Sequence, residues 1–397
     1  MVTVEEADRL LQAQIRRGDS VSIPLTDATG RILREDVAAD RDHPPFDRVA
    51  MDGIAIQHSA WAEGRTRFRV QGVQRAGGPP LTLSAADGCL EVMTGAVLPD
   101  GCDTVIRYED VHLSEGETIL ADGLAPTARQ NVHHRATDRK AADIILESGT
   151  RLRPTHIAAL ASEGKATVQV ARIPRIVVFS TGDELVDVHE PVLPHQIRRS
   201  NAYAIRAALT AGALGEVTLV HARDDGGELR TRMTEALATA DVLILSGGVS
   251  MGRFDLVPQI LGELGVANVF HKVRHKPGKP LWFGVTSDGR PVFGLPGNPV
   301  AVMVCLYRYV LPWLEASAGM RPVPPRRVVL QKAPHRKNDF THFVPVYLAG
   351  EEDRDAVPVS SSGSADFLAL LATDGFVEVG PEDGPGSLVR FFPWSLS

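Results

Sequence analysis

The chain has 397 residues, of which 44% are hydrophobic, and carries a formal net charge of −7. This length exceeds what one hydrophobic core usually supports, so it predicts a globular protein of several domains. The acidic balance, with a pI near 6.0, argues against a nucleic-acid-binding protein, because phosphate binding needs a clustered positive surface.

The cysteines and the apolar segments indicate in which cellular compartment the protein is expected. Three widely spaced cysteines, Cys89, Cys102 and Cys305, suggest neither a disulfide framework nor a zinc site, which predicts a cytoplasmic protein. The first twenty residues mix acids with a helical apolar period, unlike a signal peptide. The most apolar run, residues 300–314, is short for a bilayer and contains Arg308, so no membrane association is expected.

In chain order, the first predicted element is an amphipathic helix over residues 3–17. From about 46 to 138, short β-rich runs alternate with Gly, Pro and Asp turns, which predicts a β domain. Residues 143–170 then read as a strand, a helix from Thr155 and another strand. These elements can pack with the first helix, which makes the β domain an insertion.

Strands and helices alternate from 175 to 316, a pattern typical of a doubly wound, mostly parallel sheet with helices on both faces. Its last helix has Asn298 as a cap and Pro299 at the first helical position. We therefore predict a multidomain α/β protein with one doubly wound domain, an inserted β domain and a C-terminal β-barrel-like domain. The predicted domains are 1–45 with 139–172, 46–138, 173–318 and 319–397.

Three strands of the predicted parallel sheet end in small-residue loops: STGDEL, SGGVSMGRFD and LPGN. Parallel strands bind ligands at their carboxyl edge, where bare backbone amides can hold an anion. One glycine pair alone is more often a turn, but three loops together favour a site. Neither the dinucleotide fingerprint nor the P-loop pattern is present, which argues against a dehydrogenase or a nucleotide triphosphatase. The predicted substrate-binding residues here are Ser180, Thr181, Gly182, Asp183, Ser246, Gly247, Gly248, Ser250, Pro296, Gly297 and Asn298.

Carboxylates gather at the same predicted edge. We expect Glu184, Asp224 and Asp255 to bind magnesium, because acids around an anion site need a hard cation between them. Asp183 and Asp225 also suit helix capping.

Positive charge is concentrated in the segment HKVRHKPGKP, at residues 271–280. A charge run is usually a solvated surface, but the prolines and the glycine around Lys276 and Lys279 favour a rigid oxyanion pocket. By spacing alone, Asp52 and Thr94, each followed by glycine, predict only turns.

The motifs AMDGIAI, MTGAVLPDGCDTV, FSTGDEL, RSN, RDD, SGGVSMGRFD, KPGKP and GLPGNPV occur together and in this order. With them the chain resembles the molybdopterin molybdenumtransferase family, to which the E domain of gephyrin belongs. The middle domain also resembles the molybdopterin adenylyltransferase fold. The family resemblance implies four domains and an elongated homodimer, with an active site between the doubly wound domain of one subunit and the β domain of the other.

The resemblance also implies substrates and residue roles. Molybdate would be inserted into adenylylated molybdopterin with magnesium-dependent release of AMP, and Asp52 of one subunit would act as a base or an orienting group. Two alternatives are a gephyrin-like scaffold and a molybdopterin adenylyltransferase. Further candidate partners are molybdopterin adenylyltransferase itself and molybdoenzyme-maturation proteins. Lys276, Lys279 and Ser364 would hold molybdate. The implied functional residues are Asp52, Thr94, Arg135, Asp138, Glu184, Asp224, Asp255, Lys272, Lys276, Lys279 and Ser364.

Some positions depart from the family pattern. Ala136-Thr137 replaces Gly-Glu, His133 and His134 stand where arginines are common, and Ile54 replaces a tyrosine. His342 stands where an arginine is expected to help bind molybdate. A neutral imidazole is a poor substitute for a guanidinium fork, so molybdate affinity would fall, vary with pH or depend on Arg336.

Overall fold

The computed structural model describes residues 1–249, 256–334, 339–359 and 365–395. The chain divides into two compact units. The first unit contains Met1–Glu35, Ser148–Pro154 and Thr167–Ser397, and the second contains Asp36–Glu147 and Thr155–Ala166. The boundaries of four domains remain a prediction.

A six-stranded central sheet organises the first unit. The four parallel strands lie side by side, and two antiparallel strands extend the sheet at one edge. This arrangement confirms the predicted mostly parallel sheet. The two antiparallel strands flank the basic segment and were not predicted from the sequence pattern. In spatial order the strands are Glu216–Ala222, Arg175–Thr181, Val242–Ser246, Pro291–Leu295, Trp282–Val285 and Ala267–His271.

Helices cover both faces of the central sheet, as predicted. One face packs around residues such as Ile205, Phe293 and Val304, and the other around Leu229 and Ile260. The helices are Val4–Gln12, Ser200–Ala211, Gly226–Thr239, Val257–Glu263, Pro299–Cys305 and Leu311–Ser317, with a π-helical turn Leu306–Val310 between the last two.

The continuous helix Pro299–Ser317 is the one helix in the described part of the chain that is long and apolar enough to cross a membrane. It behaves here as a core helix, since 67% of its apolar window is buried. Its buried Arg308 donates two hydrogen bonds to Asp8, at 2.8 and 2.7 Å, and one to Glu378 at 3.0 Å. These ion pairs tie the N-terminal helix, the core helix and the C-terminal strands together.

A closed five-stranded barrel forms the C-terminal part of the first unit, which confirms the predicted barrel-like domain. The strand Thr341–Ala349 pairs on both sides within the barrel and also accepts the short parallel strand His275–Lys276. The other barrel strands are Arg327–Leu330, Asp355–Pro358, Gly375–Val379 and Leu388–Pro393. Short pairs elsewhere in this unit are Ser20–Pro24 with Thr167–Ala171 and Leu185–Val186 with Ile197–Arg198.

The second unit is β-rich, as the sequence predicted. Its six-stranded sheet buries Ile54, Phe68 and Ile106 in one apolar cluster. In spatial order its strands are Thr104–Arg107, Gly53–Ile56, Gly88–Val92, Arg67–Gln74, Glu117–Leu120 and Val111–Ser114. The remaining elements are the pairs Val37–Ala38 with Ile144–Leu146 and Arg48–Val49 with Val132–His133, the helix His58–Ala62 and most of the helix Pro154–Ser162.

Candidate functional site

A cleft of about 660 Å³ opens at the carboxyl edge of the central sheet. It lies where the loops after the parallel strands meet the segment His275–Pro280, and Phe340 forms part of its wall. The sheet geometry therefore brings together loops that are as far apart in sequence as Thr181 and Asn298. The predicted site residues that line this cleft are Thr181, Gly182, Glu184, Asp224, Gly247, Gly248, Lys276, Lys279, Pro296, Gly297 and Asn298.

The glycine pair Gly247-Gly248 is required by both backbone and packing. Their φ angles are +94° and +66°, and a Cβ on Gly248 would lie 2.7 Å from Val257 Cγ2 and 2.8 Å from Thr181 Oγ1. The Gly247 amide donates to the Leu295 carbonyl at 3.2 Å. This contact holds the SGG loop beside the LPGN loop.

Asn201 joins the same two loops and is not among the predicted site residues. Its Nδ2 donates to Ser246 Oγ at 3.1 Å and to the Gly297 carbonyl at 2.8 Å. Only the RSN motif of the family pointed to this residue. Ser246 and Ser180 are buried at 4% and 2% exposure, so these two predicted residues lie beneath the cleft wall.

Two predicted metal-binding acids, Glu184 and Asp224, are exposed in the cleft. The Glu184 carboxylate folds over Gly182, where an added Cβ would come within 2.5 Å of Oε2. Asp183 accepts a hydrogen bond from the Asp224 amide at 3.2 Å and so fastens the two acidic loops together. Two oxygen donors that share a solvent-open cleft suit a hard cation such as Mg²⁺.

Asp225 caps the helix Gly226–Thr239, in agreement with the structural alternative considered from the sequence. Its carboxylate accepts from the amides of Gly227 and Glu228 at 3.0 and 2.9 Å. Asn298 holds the N-cap position of the helix Pro299–Cys305 with Pro299 following, although its side chain makes no capping bond.

Four residues named from the sequence lie outside the described residues. They are Ser250, Asp255, Arg336 and Ser364.

The basic segment presents Lys276 and Lys279 to the cleft on a tight turn. Gly278 has a φ of +102°, and a Cβ there would lie 2.7 Å from Cys305 Sγ and 2.8 Å from His275 Cε1. Lys279 Nζ lies 5.7 Å from the centre of the Phe340 ring. Lys272 is not among the residues that line the cleft, and its backbone has a φ of +71°.

His275 is fully buried beneath this turn. Its Nδ1 lies 2.8 Å from the Pro277 carbonyl, so Nδ1 carries the hydrogen and donates it. Burial lowers the pKa of His275 to about 4, which keeps the ring neutral near pH 7. The local sequence does not reveal this role, because a histidine between basic residues is typical of an exposed cationic segment.

His342, at the position of the expected family arginine, is a register partner of Lys276. The residue is only 9% exposed. The structure therefore places the substituted position beside a cleft lysine.

In the second unit, Asp52 and Thr94 form one hydrogen-bonded pair. Asp52 Oδ1 accepts from the Thr94 amide at 2.6 Å and from its hydroxyl at 2.8 Å. Both bonds lower the pKa of Asp52. Spacing alone predicted two separate turns, whereas the two residues are in fact directly hydrogen-bonded to each other.

His133 links Arg48 to Asp138 in the same unit. Its Nδ1 lies 3.0 Å from Arg48 Nη2 and its Nε2 lies 3.0 Å from Asp138 Oδ1. Since Arg48 can only donate, Nδ1 accepts and Nε2 carries the hydrogen that Asp138 accepts. Nearby Arg135 donates to Asp42 at 2.6 Å.

Three family models match successive parts of the chain. Residues 2–164 match the MoeA N-terminal region (domain I and II), residues 177–316 match a probable molybdopterin binding domain, and residues 327–394 match the MoeA C-terminal region (domain IV).

Curated relatives match along nearly the whole chain. The molybdopterin molybdenumtransferase of Synechocystis sp. is 37% identical over 99% of this chain and 100% of its own length. The protein of that name from Haemophilus influenzae is 32% identical over 97% of this chain and 96% of its own length.

Solved structures agree with these matches. Two crystal structures of the molybdopterin biosynthesis MoeA protein from Pyrococcus horikoshii have TM-scores of 0.81 and 0.82, at 29% and 26% identity. They cover 100% and 99% of this chain and 100% of their own chains.

Proposed function

The chain belongs to the molybdopterin molybdenumtransferase family of enzymes in molybdenum cofactor biosynthesis, and we propose that it inserts molybdate into adenylylated molybdopterin with release of AMP. One observation carries the proposal: Lys276 and Lys279 share a single cleft with Glu184, Asp224 and the three glycine-containing loops. Such a cleft suits two anionic substrates that must meet.

Molybdate is assigned to the two lysines. Lys276 and Lys279 are exposed in the cleft, and the turn between them is fixed by the His275–Pro277 hydrogen bond. Charge-assisted hydrogen bonds from two ammonium groups carried on one rigid turn suit a compact oxyanion. Ser364 is the third proposed ligand.

The adenylate is assigned to the glycine-containing loops. Close packing at Gly248 leaves no room for a side chain, so the backbone there is accessible to a ligand. The helix Pro299–Ser317 begins at the same edge of the central sheet. Backbone amides at such loops and at the start of a long helix attract phosphate oxygens. The nucleotide phosphates would lie along Thr181–Gly182, Gly247–Gly248 and Gly297–Asn298.

Magnesium fits the acids of the cleft. Glu184 and Asp224, with Asp255, would hold the ion, which neutralises phosphate charge when bound. Gly182 supports the site because a side chain there would displace the Glu184 carboxylate, and Asp183 fixes the loop that carries Asp224.

In the proposed reaction, an oxygen of molybdate or of water forms a bond to the adenylate phosphorus, and the bond from phosphorus to the pterin oxygen breaks. Where water attacks, AMP leaves with the water oxygen, and one molybdate oxygen leaves as water with the two thiol protons as the dithiolene sulfurs bind molybdenum. Where molybdate attacks, the bond from molybdenum to the bridging oxygen breaks as the sulfurs bind, so that AMP leaves with that oxygen and the thiol protons pass to solvent. The sulfur ligands come from the substrate. In support, all three cysteines are buried, and burial raises the pKa of Cys89 to about 11 and that of Cys102 to about 12.

A homodimer completes the proposed site. Asp52, oriented by Thr94, would serve from the partner subunit as a base or an orienting group, and its lowered pKa keeps it ionised. Buried, unpaired thiols suit a cytoplasmic enzyme.

The test is AMP release from adenylylated molybdopterin by the purified chain. We expect release to depend on both molybdate and Mg²⁺, and Lys276→Ala to lower the rate roughly 100-fold. The matched control is Lys332→Ala, an exposed lysine that does not line the cleft. An AMP release rate that does not depend on either molybdate or Mg²⁺ would refute the mechanism. A need for ATP would favour adenylyl transfer, and complete inactivity with intact folding would favour the scaffold.

A further inference from the structure

We propose that Asp40, His43 and Glu163 form a binding site for one divalent transition-metal ion such as Zn²⁺. Each residue offers one ligand atom, and these atoms lie within 4.8 Å of one another. All three residues belong to the second unit, so the site is formed within one compact body. The proposal does not depend on the proposed molybdenum chemistry.

Two of the proposed ligands, His43 and Glu163, lie close together, but their contact lacks hydrogen-bond geometry. His43 Nε2 lies 2.9 Å from Glu163 Oε1. Yet this buried nitrogen has no hydrogen-bond partner within the described ranges, so the ring edge is not directed at the oxygen. Neighbouring donors on a tetrahedral zinc ion lie about 3.3 Å apart. Two atoms that are close but not directed at each other fit a shared ion better than an ordinary ion pair.

Glu163 supplies a buried negative charge. Its side chain is only 4% exposed, and His43 is its one ion-pair partner in the part of the chain that the structure describes. Buried carboxylates are normally paired or bound to metals, so the Glu163 carboxylate suits a bound cation.

The end of a helix also favours a cation at this site. Glu163 directly follows the helix Pro154–Ser162, so the negative end of the helix dipole points towards the site. Gly164, with a φ of +70°, ends the helix there.

The ligands are also held in place by the backbone. Glu163 Oε2 accepts the Asp40 amide at 2.9 Å, and Oε1, which accepts the Ser162 hydroxyl at 3.2 Å, lies beside His43. The His43 carbonyl accepts the amides of Asp138 and Arg139 at 2.9 and 3.2 Å, and the His43 amide donates to the Arg139 carbonyl at 2.8 Å. Such supporting bonds keep metal ligands in a fixed arrangement.

The donor set selects the kind of metal. One imidazole with two carboxylates suits Zn²⁺ or a similar transition metal better than Mg²⁺, which prefers oxygen donors alone. A fourth position would remain for water. The ion would link residues 40–43 to the end of the helix Pro154–Ser162.

The experiment is calorimetric titration of the full, tag-free chain with Zn²⁺ after treatment with EDTA. We expect one equivalent to bind, and His43→Ala and Glu163→Gln each to weaken binding at least about tenfold. The matched control is His112→Ala, which removes an exposed histidine of the same unit and should leave the affinity unchanged.

Asp40→Asn covers the case in which a buried variant fails to fold. Asp40 is exposed, so its substitution should preserve the fold while weakening Zn²⁺ binding and reducing the Zn²⁺-dependent rise in Tm. Co²⁺ should give the intense visible bands of a four-coordinate site in the wild type only. The proposal is overturned if the wild type binds no stoichiometric Zn²⁺, or if Asp40→Asn and a folded His43→Ala variant bind it as tightly as the wild type.

Discussion

His275 donates its Nδ1 hydrogen to the carbonyl of Pro277, 2.8 Å away, across the turn that carries Lys276 and Lys279. The ring is buried against Tyr309 and Phe343, with ring centres 5.6 and 5.1 Å apart. The placement of two exposed lysines thus depends on a neutral side chain in the core.

This burial predicts a pH dependence of stability. The pKa of His275 falls from 6.5 to about 4 on folding. Above pH 6.5 the ring is neutral in both the folded and the unfolded state, so this histidine does not lower the free energy of unfolding. As the pH falls towards 4, only the unfolded chain takes up the proton, which lowers the free energy of unfolding by on the order of a few kcal/mol.

Urea unfolding at several pH values between 7 and 4 measures this effect. His275→Gln should be less stable at pH 7 but should lose less stability on acidification than the wild type. His112→Gln, at an exposed position, should follow the wild-type slope. Parallel slopes for the wild type and His275→Gln would contradict the assignment.

Gly278 should tolerate no side chain. Gly278→Ala would combine the cost of a φ of +102° with contacts of 2.7 Å to Cys305 and 2.8 Å to His275, and we expect a loss of about 2–5 kcal/mol. Gly116→Ala is the control, because Gly116 has a φ of +74° and open space around its Cβ position. It should lose only about 1–2 kcal/mol. Equal losses, measured by urea unfolding, would show that the packing under the turn is looser than described.

Ala136 stands where the family has glycine, and its backbone has a φ of +61°. An alanine in this left-handed region is strained, and glycine relieves the strain while making the unfolded chain more flexible. We expect Ala136→Gly to raise the free energy of unfolding by about 0.5–1 kcal/mol. Ala158→Gly, at an exposed position inside the helix Pro154–Ser162, should lower it by about 1 kcal/mol. A destabilised Ala136→Gly variant in thermal unfolding would refute the strain argument.

The proposed shared site predicts complementation between two inactive variants. Asp52→Asn and Lys276→Ala should each lower AMP release roughly 100-fold. If Asp52 acts from the partner subunit, a mixed dimer keeps one intact site, and random pairing should restore about one quarter of wild-type activity.

The complementation assay mixes the two variants after reversible dissociation and measures AMP release. Mixing Asp52→Asn with Thr94→Val is the control, since both changes lie in the same unit and should not complement. Failure of the first pair to recover, with mixed dimers demonstrated by mass, would place Asp52 and Lys276 in the same subunit's site.

The sequence by itself determined the layered α/β architecture and one edge of the candidate site. The strand Val242–Ser246 is apolar from Val242 to Leu245 because both faces of a parallel sheet are buried. Loops that follow parallel strands lie at one edge of the sheet. The sequence alone therefore predicts that the glycine-containing loops and the acids Glu184 and Asp224 lie close together.

The tertiary structure alone decided how side chains distant in sequence combine. Asp52 and Thr94 are 42 residues apart, and spacing assigned them to separate turns, but neighbouring strands of one sheet bring them into hydrogen-bonding distance. The neutral state of His275 depends on burial beneath residues from the core helix and the barrel, while neighbouring lysines in sequence suggested an exposed cation. Local patterns encode periodicity and turns, whereas hydrogen-bond partners and desolvation depend on which segments the fold packs together.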